Sequence, residues 1–184
     1  LDVGVYYLTH LVHHLGPVAR VSGTAHMTHA ERHITTGPNA GKTLRVEVPT
    51  HIVSQLAFAG GPQVVLTSSF DVWKHAHQPM EFYGDAGSIL LPDPNRFGGT
   101  VKTALREDPW VRAADKRPHT TNLRGLGLID MARALQTQRP HRCSAEMALH
   151  VLEVMERALE AARTGQTQTL TTTCERPAPL DFPP

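Results

Sequence analysis

The first half of the chain contains consecutive strand-like segments that are separated by short glycine-rich turns. The two clearest cases are residues 52–58 and 64–73 around Gly60-Gly61-Pro62, and residues 80–83 and 88–91 around Gly84-Asp85-Ala86-Gly87. Turns this short join antiparallel neighbours, because a parallel connection needs a crossover of a dozen or more residues. The pattern therefore predicts an antiparallel sheet and excludes a doubly wound nucleotide-binding fold.

Helical and strand-like patterns flank this region. Apolar residues recur at helical spacing in residues 1–16, 122–136 and 144–165, and further strands are predicted at residues 18–28, 44–48, 100–104 and around Leu170. Strands grouped between terminal helices predict an α+β fold, an open and largely antiparallel β-sheet with helices packed on one face. We expect one domain over residues 1–176 and a Pro-rich tail over residues 177–184.

The two later helices each show an apolar face that predicts burial. The predicted core faces are Leu128, Met131, Ala132 and Leu135 in the second helix, and Ala148, Leu149, Leu152, Met155, Leu159 and Ala162 in the third. Gly125 and Gly127 disfavour a helix by about 1 kcal/mol each relative to Ala. They allow either close packing or the approach of a ligand, and packing is the favoured interpretation. His150, which has apolar neighbours, is predicted to be a satisfied core histidine.

The opening helix combines an apolar stripe with a polar face. Leu1, Val5, Leu8, Val12 and Leu15 form the stripe, and Gly16-Pro17 ends the helix. Asp2, Tyr6, His10 and His13 lie three or four residues apart on another face. A carboxylate, a phenol and imidazoles on one face are candidates for an acid/base site. A start inside a helix suggests a piece of a longer protein.

Composition excludes several classes of function. The net charge of +1 gives no electrostatic reason to expect nucleic acid or a membrane surface as partner. No apolar run approaches the roughly 20 residues that cross a bilayer. Cys143 and Cys174 are far apart and form no metal or redox pair, so free thiols and a cytoplasmic location are expected. The chain has neither a GxGxxG after a strand nor a GxxxxGK[ST] motif, so it shows no cofactor-binding residues.

Several other residues are candidates for contact with a ligand. Alternation along a strand would place His75 and His77 on one side, but no third ligand is evident, so we expect no metal site there. Trp73 and His75 are candidates for lining a substrate cleft. Arg96 and Arg124 are candidates for binding a hydroxyl or an anion.

Several motifs together resemble a known family, the C-terminal domain of the Gfo/Idh/MocA oxidoreductases, which includes glucose–fructose oxidoreductase and inositol dehydrogenase. Leu1-Asp2-Val3-Gly4 is similar to its D-x-G segment, and Gly16-Pro17-Val18 to its G-x-V entry into the first strand. The segments that resemble its sheet and closing helices are residues 50–58, the hairpin to Ser68-Ser69-Phe70, Tyr83-Gly84-Asp85-Ala86-Gly87-Ser88, Asn122-Leu123-Arg124-Gly125-Leu126-Gly127 and residues 144–165.

The resemblance implies a two-domain enzyme that uses NAD or NADP on sugars, polyols or related hydroxy compounds. The chain would be its substrate-binding and oligomerisation domain, a homo-oligomer through the β-sheet, and would be inactive without the Rossmann domain and its Glu-Lys-Pro motif. Asp2 matches the Asp of the family's D-x-x-x-H, whereas Tyr6 occupies the position of the His. An ordinary phenol, with a pKa near 10, is a poor base but can donate a hydrogen bond to a substrate oxygen. The implied catalytic residues are Asp2 and Tyr6, and the implied substrate-binding residues are His10, Trp73, His75, Arg96 and Arg124.

Two interpretations of other classes stay open. One is a non-catalytic module, either a sheet-mediated dimer or a carbohydrate-binding scaffold. For this module Leu44, Val46 and Val48, together with residues 64–66, are predicted to form an exposed apolar sheet face. The other is a histidine-rich metal protein, which is the less favoured interpretation because the twelve histidines are scattered.

Overall fold

The computed structural model describes residues 2–114 and 124–180, which form three helices and ten strands. The helices are α1 (Gly4–Leu15), α2 (Leu126–Thr137) and α3 (Ala145–Thr164). The strands are β1 (Val18–His26), β2 (Glu31–His33), β3 (Thr43–Arg45), β4 (His51–Phe58), β5 (Gln63–Ser69), β6 (Met80–Gly84), β7 (Gly87–Leu91), β8 (Lys102–Leu105), β9 (Val111–Arg112) and β10 (Gln168–Thr169). Within the described ranges, no helix is long and apolar enough to cross a membrane.

Contacts divide the chain into two compact units. Residues 1–74 and 145–176 form the first unit, and residues 75–144 and 177–184 form the second. The domain boundaries derived from the sequence stay a prediction. Residues 1, 122–123 and 181–184, which entered that prediction, lie outside the described residues.

The first unit is built on a four-stranded antiparallel sheet in the order β10-β1-β4-β5. Val21 of β1 lies opposite Leu56 of β4, and both are buried beneath α3, which packs on β1. Arg20 and Gln55, one residue away on each strand, are exposed, as the two-residue period of a half-buried strand requires. The predicted hairpin of residues 52–58 and 64–73 is confirmed as β4–β5, and the predicted α+β fold is confirmed.

The second unit contains an antiparallel meander, β6-β7-β8-β9, whose first two strands are the second predicted hairpin. Gly87 is the first residue of β7. A side chain does not fit at this position, because the carbonyl oxygen of Ala104 on β8 lies 2.2 Å from where its Cβ atom would stand. Only glycine permits that approach of the two backbones.

Several predicted strand bounds change in the structure. The strand predicted over residues 64–73 ends at Ser69, the one over residues 44–48 is reduced to β3, and Leu170 follows β10. β2, which pairs with β3, and β9 were not predicted. The expected apolar face of Leu44, Val46, Val48 and residues 64–66 is wrong in part, since Leu66 points toward the helices and lines a cavity there. Leu44 and Val48 are exposed as expected, but Leu44 lies in the separate two-stranded sheet of β2 and β3. Val65 points away from the helices and is exposed.

The apolar face predicted for α2 is wrong. Leu128 and Leu135 are 72% and 74% exposed, Met131 and Ala132 are exposed, and the buried residues are Asp130 and Ala134. The reason is an ion-pair network: Asp130 Oδ1 accepts hydrogen bonds from Arg139 at 2.6 Å and Arg142 at 2.5 Å. Burial raises the pKa of Asp130, but the backbone N–H of Arg142 and the two guanidinium groups outweigh it and hold the pKa at about 2. The carboxylate therefore lies on the buried side of the helix.

The expectation that Gly125 and Gly127 serve close packing is wrong as well. No atom of the described residues lies within 4 Å of a Cβ atom built at either glycine. Among the described residues outside α2, no neighbouring group therefore requires a glycine at either position.

The core face of α3 is shifted by about one residue from the prediction. The buried residues are Met147, His150, Val151, Val154, Ala158 and Ala161, whereas Leu149 and Leu152 are about half exposed. The small side chains of Ala158 and Ala161 let the helix approach the sheet closely. The polar residue His150 is buried on this face because its ring finds hydrogen-bond partners there.

His150 is confirmed as a satisfied core histidine. Its ring is fully buried, and its Nε2 accepts a hydrogen bond of 2.9 Å from the backbone N–H of Val18. Nδ1 therefore carries the ring proton, and it lies 3.1 Å from the carbonyl oxygen and 3.0 Å from Oγ1 of Thr172. Burial is the main cause that lowers the pKa of His150, so the ring is neutral.

Glu153, one turn further along α3, holds the same C-terminal segment. Its carboxylate accepts hydrogen bonds from the backbone N–H groups of Thr171 at 2.9 Å and Thr172 at 2.7 Å, and from both hydroxyls at 2.7 and 2.6 Å. Burial raises the pKa of Glu153, but these four donors outweigh it and hold the pKa far below its ordinary value. Glu153 and His150 together fasten residues 171–172 to α3.

Replacing Glu153 by Ala is expected to lower the free energy of unfolding by about 2–4 kcal/mol, since four donors lose a charged acceptor. Urea unfolding followed by circular dichroism measures this change. Glu156→Ala, at an exposed position of the same helix, is the control and is expected to change stability by less than about 0.5 kcal/mol. Equal losses in the two variants would contradict the role of the Glu153 carboxylate.

Candidate functional site

One face of α1 packs against the rest of the first unit, and the other face is directed away from it. Leu8, Leu11 and Val12 are buried, and α1 packs on α3. The helix ends at Gly16, whose φ of 84° lies in the left-handed region that favours glycine and whose N–H bonds to the carbonyl of Val12. The opposite side of α1 therefore carries the polar residues.

The candidate catalytic residues lie at the start of this helix. Asp2 is exposed in the turn that precedes α1, and Tyr6, in its first turn, is 40% exposed. The backbone N–H of Tyr6 bonds to the carbonyl of Val3 at 3.2 Å and continues the turn into the helix. The carboxylate and the phenol are thus presented on the first unit with surface open to a ligand.

His10 belongs to a cluster of three histidines on the same helix. Its Nε2 lies 3.0 Å from Nε2 of His14, and the two rings meet edge to face with centroids 4.5 Å apart. The His13 ring contacts that of His14 at a centroid distance of 5.2 Å. His10 and His13 were identified as candidates from the sequence and His14 was not, although its spacing of four residues from His10 was a usable signal.

His10 and His14 of this cluster are neutral at neutral pH. Burial, followed by the neighbouring charges of His10, His13 and Arg176, lowers the pKa of His14 to about 4. Burial and then His13 lower the pKa of His10. The rings of His10 and His14 are therefore neutral imidazoles, and each can donate through one nitrogen and accept through the other.

The other candidate residues lie on loops. Trp73, beyond the end of β5, is fully exposed. His75 and His77 lie in an irregular segment rather than on a strand, which corrects the expected alternation, and their rings stack with centroids 6.2 Å apart. The Arg96 side chain is 80% exposed, with Nε 3.9 Å from a carboxylate oxygen of Asp93, and Arg124 is exposed just before α2.

The candidate residues divide between the two units. Asp2, Tyr6, His10 and Trp73 belong to the first unit, where Tyr6 and His10 lie on α1 and Asp2 lies in the turn that precedes it. His75, Arg96 and Arg124 belong to the second unit, in three different loops.

A polar network around Asp71 was missed by the sequence analysis. Its carboxylate accepts hydrogen bonds of 2.7 Å from the hydroxyls of Thr28 and Thr50, and it is paired with Arg32, which also donates to the carbonyl of Phe70 at 3.0 Å. The hydrogen bonds from Thr50 and Thr28 are the main causes that lower the pKa of Asp71. The network fastens the β2–β3 hairpin to the end of β5. No sequence signal identifies it, because its members share no spacing.

A cavity of about 50 Å³ lies between α1, α3 and the sheet, lined by apolar groups and by Ser54 and Ser68. Pockets that bind organic ligands measure about 300–1,000 Å³. At this volume the cavity is too small for a sugar.

The described residues contain no Rossmann-type dinucleotide unit. The Rossmann unit has parallel strands joined by a helix and a Gly-rich turn, whereas all strand pairs in residues 2–114 and 124–180 are antiparallel. The same ranges hold no group of three or more His, Cys, Asp or Glu side chains arranged for a metal ion.

Comparison with known proteins gives the class of this fold. Residues 1–90 match the family described as GFO/IDH/MocA C-terminal domain. The resemblance found in the sequence motifs is therefore confirmed over these residues. No curated protein matches the chain.

Solved structures of similar fold are oxidoreductases. The aldose-aldose oxidoreductase from Caulobacter crescentus, complexed with glycerol, is 20% identical with a TM-score of 0.67, over 92% of this chain and 46% of that one. Apo levoglucosan dehydrogenase is 14% identical with a TM-score of 0.75, over 94% and 51%. The same enzyme with NADH and L-sorbose is 16% identical with a TM-score of 0.69, over 93% and 50%. The chain thus spans about half the length of these structures.

The histidine cluster predicts a loss of stability in acid. The pKa of His14 is about 4 in the fold and near 6.5 when unfolded, so its contribution is fully present above about pH 6.5 and is lost as pH falls toward 4. His14→Gln is expected to show a smaller loss of unfolding free energy between pH 7.5 and pH 5 than the unchanged chain. Urea titrations at the two pH values measure the difference.

His29→Gln, at an exposed loop position, is the control for this measurement. It is expected to reproduce the pH dependence of the unchanged chain. A His14→Gln variant that loses as much stability in acid as the control would show that this ring does not carry the effect.

Proposed function

We propose that this chain is the substrate-binding and oligomerisation domain of an NAD(P)-dependent oxidoreductase that acts on a sugar, polyol or related hydroxy compound. The observation that carries the proposal is the match of residues 1–90 to the GFO/IDH/MocA C-terminal domain, joined to the fold shared with oxidoreductases over 92% of the chain. Two of those structures hold glycerol and L-sorbose, which are hydroxylated compounds.

In the complete enzyme, nucleotide binding and substrate binding are assigned to different domains. NAD or NADP, held by another domain of the complete enzyme, supplies the acceptor or donor of the hydride. The residues of this chain bind and orient the substrate. We therefore expect the 184-residue chain to bind neither nucleotide by itself and to be inactive alone.

Asp2 and Tyr6 are the proposed catalytic groups. The exposed carboxylate of Asp2 accepts a hydrogen bond from a substrate hydroxyl, which holds that hydroxyl in place. The phenol of Tyr6, 40% exposed, donates a hydrogen bond to the oxygen at the carbon that changes oxidation state. Both groups lie at the N-terminal end of α1, so a single element presents them. His10, one turn beyond Tyr6, is proposed to extend the contact with substrate.

The remaining contacts are proposed for exposed side chains on loops. The fully exposed indole of Trp73 offers a flat surface for an apolar face of a sugar ring. His75, Arg96 and Arg124 offer hydrogen-bond donors suited to hydroxyl or carboxylate oxygens.

The sheet of the first unit is the proposed oligomer contact. The face opposite the helices carries Gln55 and Val65 as cross-strand neighbours, and Val65 is 68% exposed. This face mixes polar and apolar groups, which is typical of protein–protein contacts. Sedimentation velocity on the complete enzyme measures the association.

The isolated 184-residue chain is expected to show no micromolar binding of NADH or NADPH by calorimetry, since no described residues form a dinucleotide site. The complete enzyme is the positive control and is expected to bind one of the two nucleotides. Micromolar binding by the chain alone would contradict the proposed division. A complete protein that binds neither nucleotide would favour a non-catalytic module.

Tyr6→Phe in the complete enzyme is expected to lower kcat/KM by about 10- to 100-fold, because it removes one hydrogen bond to the substrate oxygen, worth about 1.5–3 kcal/mol. Steady-state kinetics with the preferred hydroxy substrate measure the change. Tyr83→Phe, at a residue that is 75% exposed on β6, is the matched control and is expected to leave the rate unchanged. Unchanged kcat/KM in Tyr6→Phe would remove the phenol from the mechanism.

A further inference from the structure

We infer that Asp71 is a positioning residue of the substrate site, because together with Arg32 it fixes the segment of chain that presents Trp73. The side chain of Asp71 is itself buried and is not a substrate contact. The inference rests on the proposed function, since it takes Trp73 as a contact for substrate. It goes beyond that function by assigning the residues that hold the contact in place.

The backbone of the segment that follows β5 is fixed by three hydrogen bonds. The N–H of Phe70 donates to the carbonyl oxygen of Thr50 at 2.9 Å, and the N–H of Asp71 donates to Oγ of Ser69 at 3.1 Å. The carbonyl oxygen of Phe70 accepts a hydrogen bond of 3.0 Å from Arg32. These bonds hold both residues in place where the chain leaves the sheet.

The side chain of Asp71 connects this segment to three other parts of the first unit. Its carboxylate accepts hydrogen bonds of 2.7 Å from Thr28, in the loop after β1, and from Thr50, just before β4. It also pairs with Arg32 of β2, and the Asp71 side chain is only 8% exposed, so water has little access to replace these donors. Because three elements converge on one acidic group, its loss frees the segment from all of them.

Trp73 takes its position from this network and not from polar contacts of its own. Its side chain is fully exposed, and neither Trp73 nor Val72 forms a hydrogen bond with the described residues. Two residues of extended chain span at most about 7 Å, so the backbone of Trp73 lies within that distance of Asp71. The network is therefore what limits where the indole can lie.

The exposure of this segment indicates that the network serves recognition and not stability alone. Phe70, Val72 and Trp73 are 60%, 50% and 100% exposed, so ordering them buries little apolar surface. Clustered apolar groups that stay in solvent are typical of binding surfaces. A contact that is ordered before binding loses less entropy when the substrate arrives. An indole held in this way suits the apolar face of a sugar ring.

The mobility of Trp73 in the complete enzyme tests the positioning role directly. Fluorine NMR after incorporation of fluorotryptophan measures it, and the resonance of Trp73 is the one that Trp73→Phe removes. Asp71→Asn is expected to narrow this resonance, because the indole then moves independently of the protein. Asp85→Asn, at an exposed turn position of the second unit, is the control and is expected to leave the line width unchanged. An unchanged line in Asp71→Asn would overturn the inference, whatever substrate the enzyme takes.

A double-mutant cycle on KM tests whether Asp71 acts through Trp73. Asp71→Asn and Trp73→Ala are each expected to raise KM about three- to tenfold, the size of one lost aromatic contact, with kcat little changed. The double variant is expected to match Trp73→Ala alone, because a residue that acts through another adds nothing once the other is gone. If the two single effects multiply instead, Asp71 acts by another route and the inference is wrong.

Failure of the inference and failure of the proposed function give different results. An unchanged KM in Trp73→Ala, in an enzyme that uses NAD(P) on a hydroxy compound, would remove Trp73 from the substrate site and overturn the inference alone. A complete protein without NAD(P)-dependent turnover would overturn the proposed function, and the fluorine line width would still decide whether Asp71 positions Trp73.

Thr28 provides a milder pair of variants in case Asp71→Asn does not fold. Thr28→Val removes one donor to the carboxylate and keeps the shape of the side chain. It is expected to shift the line width and KM in the same direction as Asp71→Asn, by a smaller factor. Thr28→Ser keeps the hydroxyl and is expected to restore both values. Equal results for the valine and serine variants would contradict the role of this hydrogen bond.

Discussion

The polar contacts along α3 are the constraint on which the first unit depends. A long helix can slide or rotate on a sheet when only apolar side chains meet, because hydrophobic contact has no direction. His150 removes that freedom, since its two ring nitrogens bind the start of β1 and the segment at Thr172. Glu153 repeats the connection one turn later. These contacts fix both the rotation of α3 about its axis and its position along the sheet. α1 in turn packs on α3.

Much of the fold was predictable because its signals are local. Glycine-rich turns of two to four residues between alternating segments can form only hairpins, and both predicted hairpins are present. The faces of α2 and α3 were not predictable from hydrophobic spacing. In α2 the burial of Asp130 depends on Arg139 and Arg142, which lie beyond the helix. In α3 the choice between two adjacent apolar stripes depends on partners that are 22 and 132 residues away from His150.

In the candidate site, too, the features with local sequence signals were predictable and those that depend on long-range contacts were not. The placement of Asp2 and Tyr6 at the start of a helix followed from the sequence pattern and the family motif. The pairing of His10 with His14 follows from helical spacing once the helix is known. The network of Asp71 with Thr28, Thr50 and Arg32 has no such signal, because sheet topology alone brings these residues together. The positions of Trp73 and His75 were mispredicted because the strand ends at Ser69.

The hydrogen on Nδ1 of His150 has a spectroscopic consequence. The ring is closed to water, and Val18 fixes which nitrogen is protonated. Hydrogens held in this way exchange slowly with solvent, because exchange requires a local opening of the structure. The proton on Nδ1 should therefore give a persistent downfield resonance in solution. Its rate of exchange with water would measure how often α3 separates from the sheet.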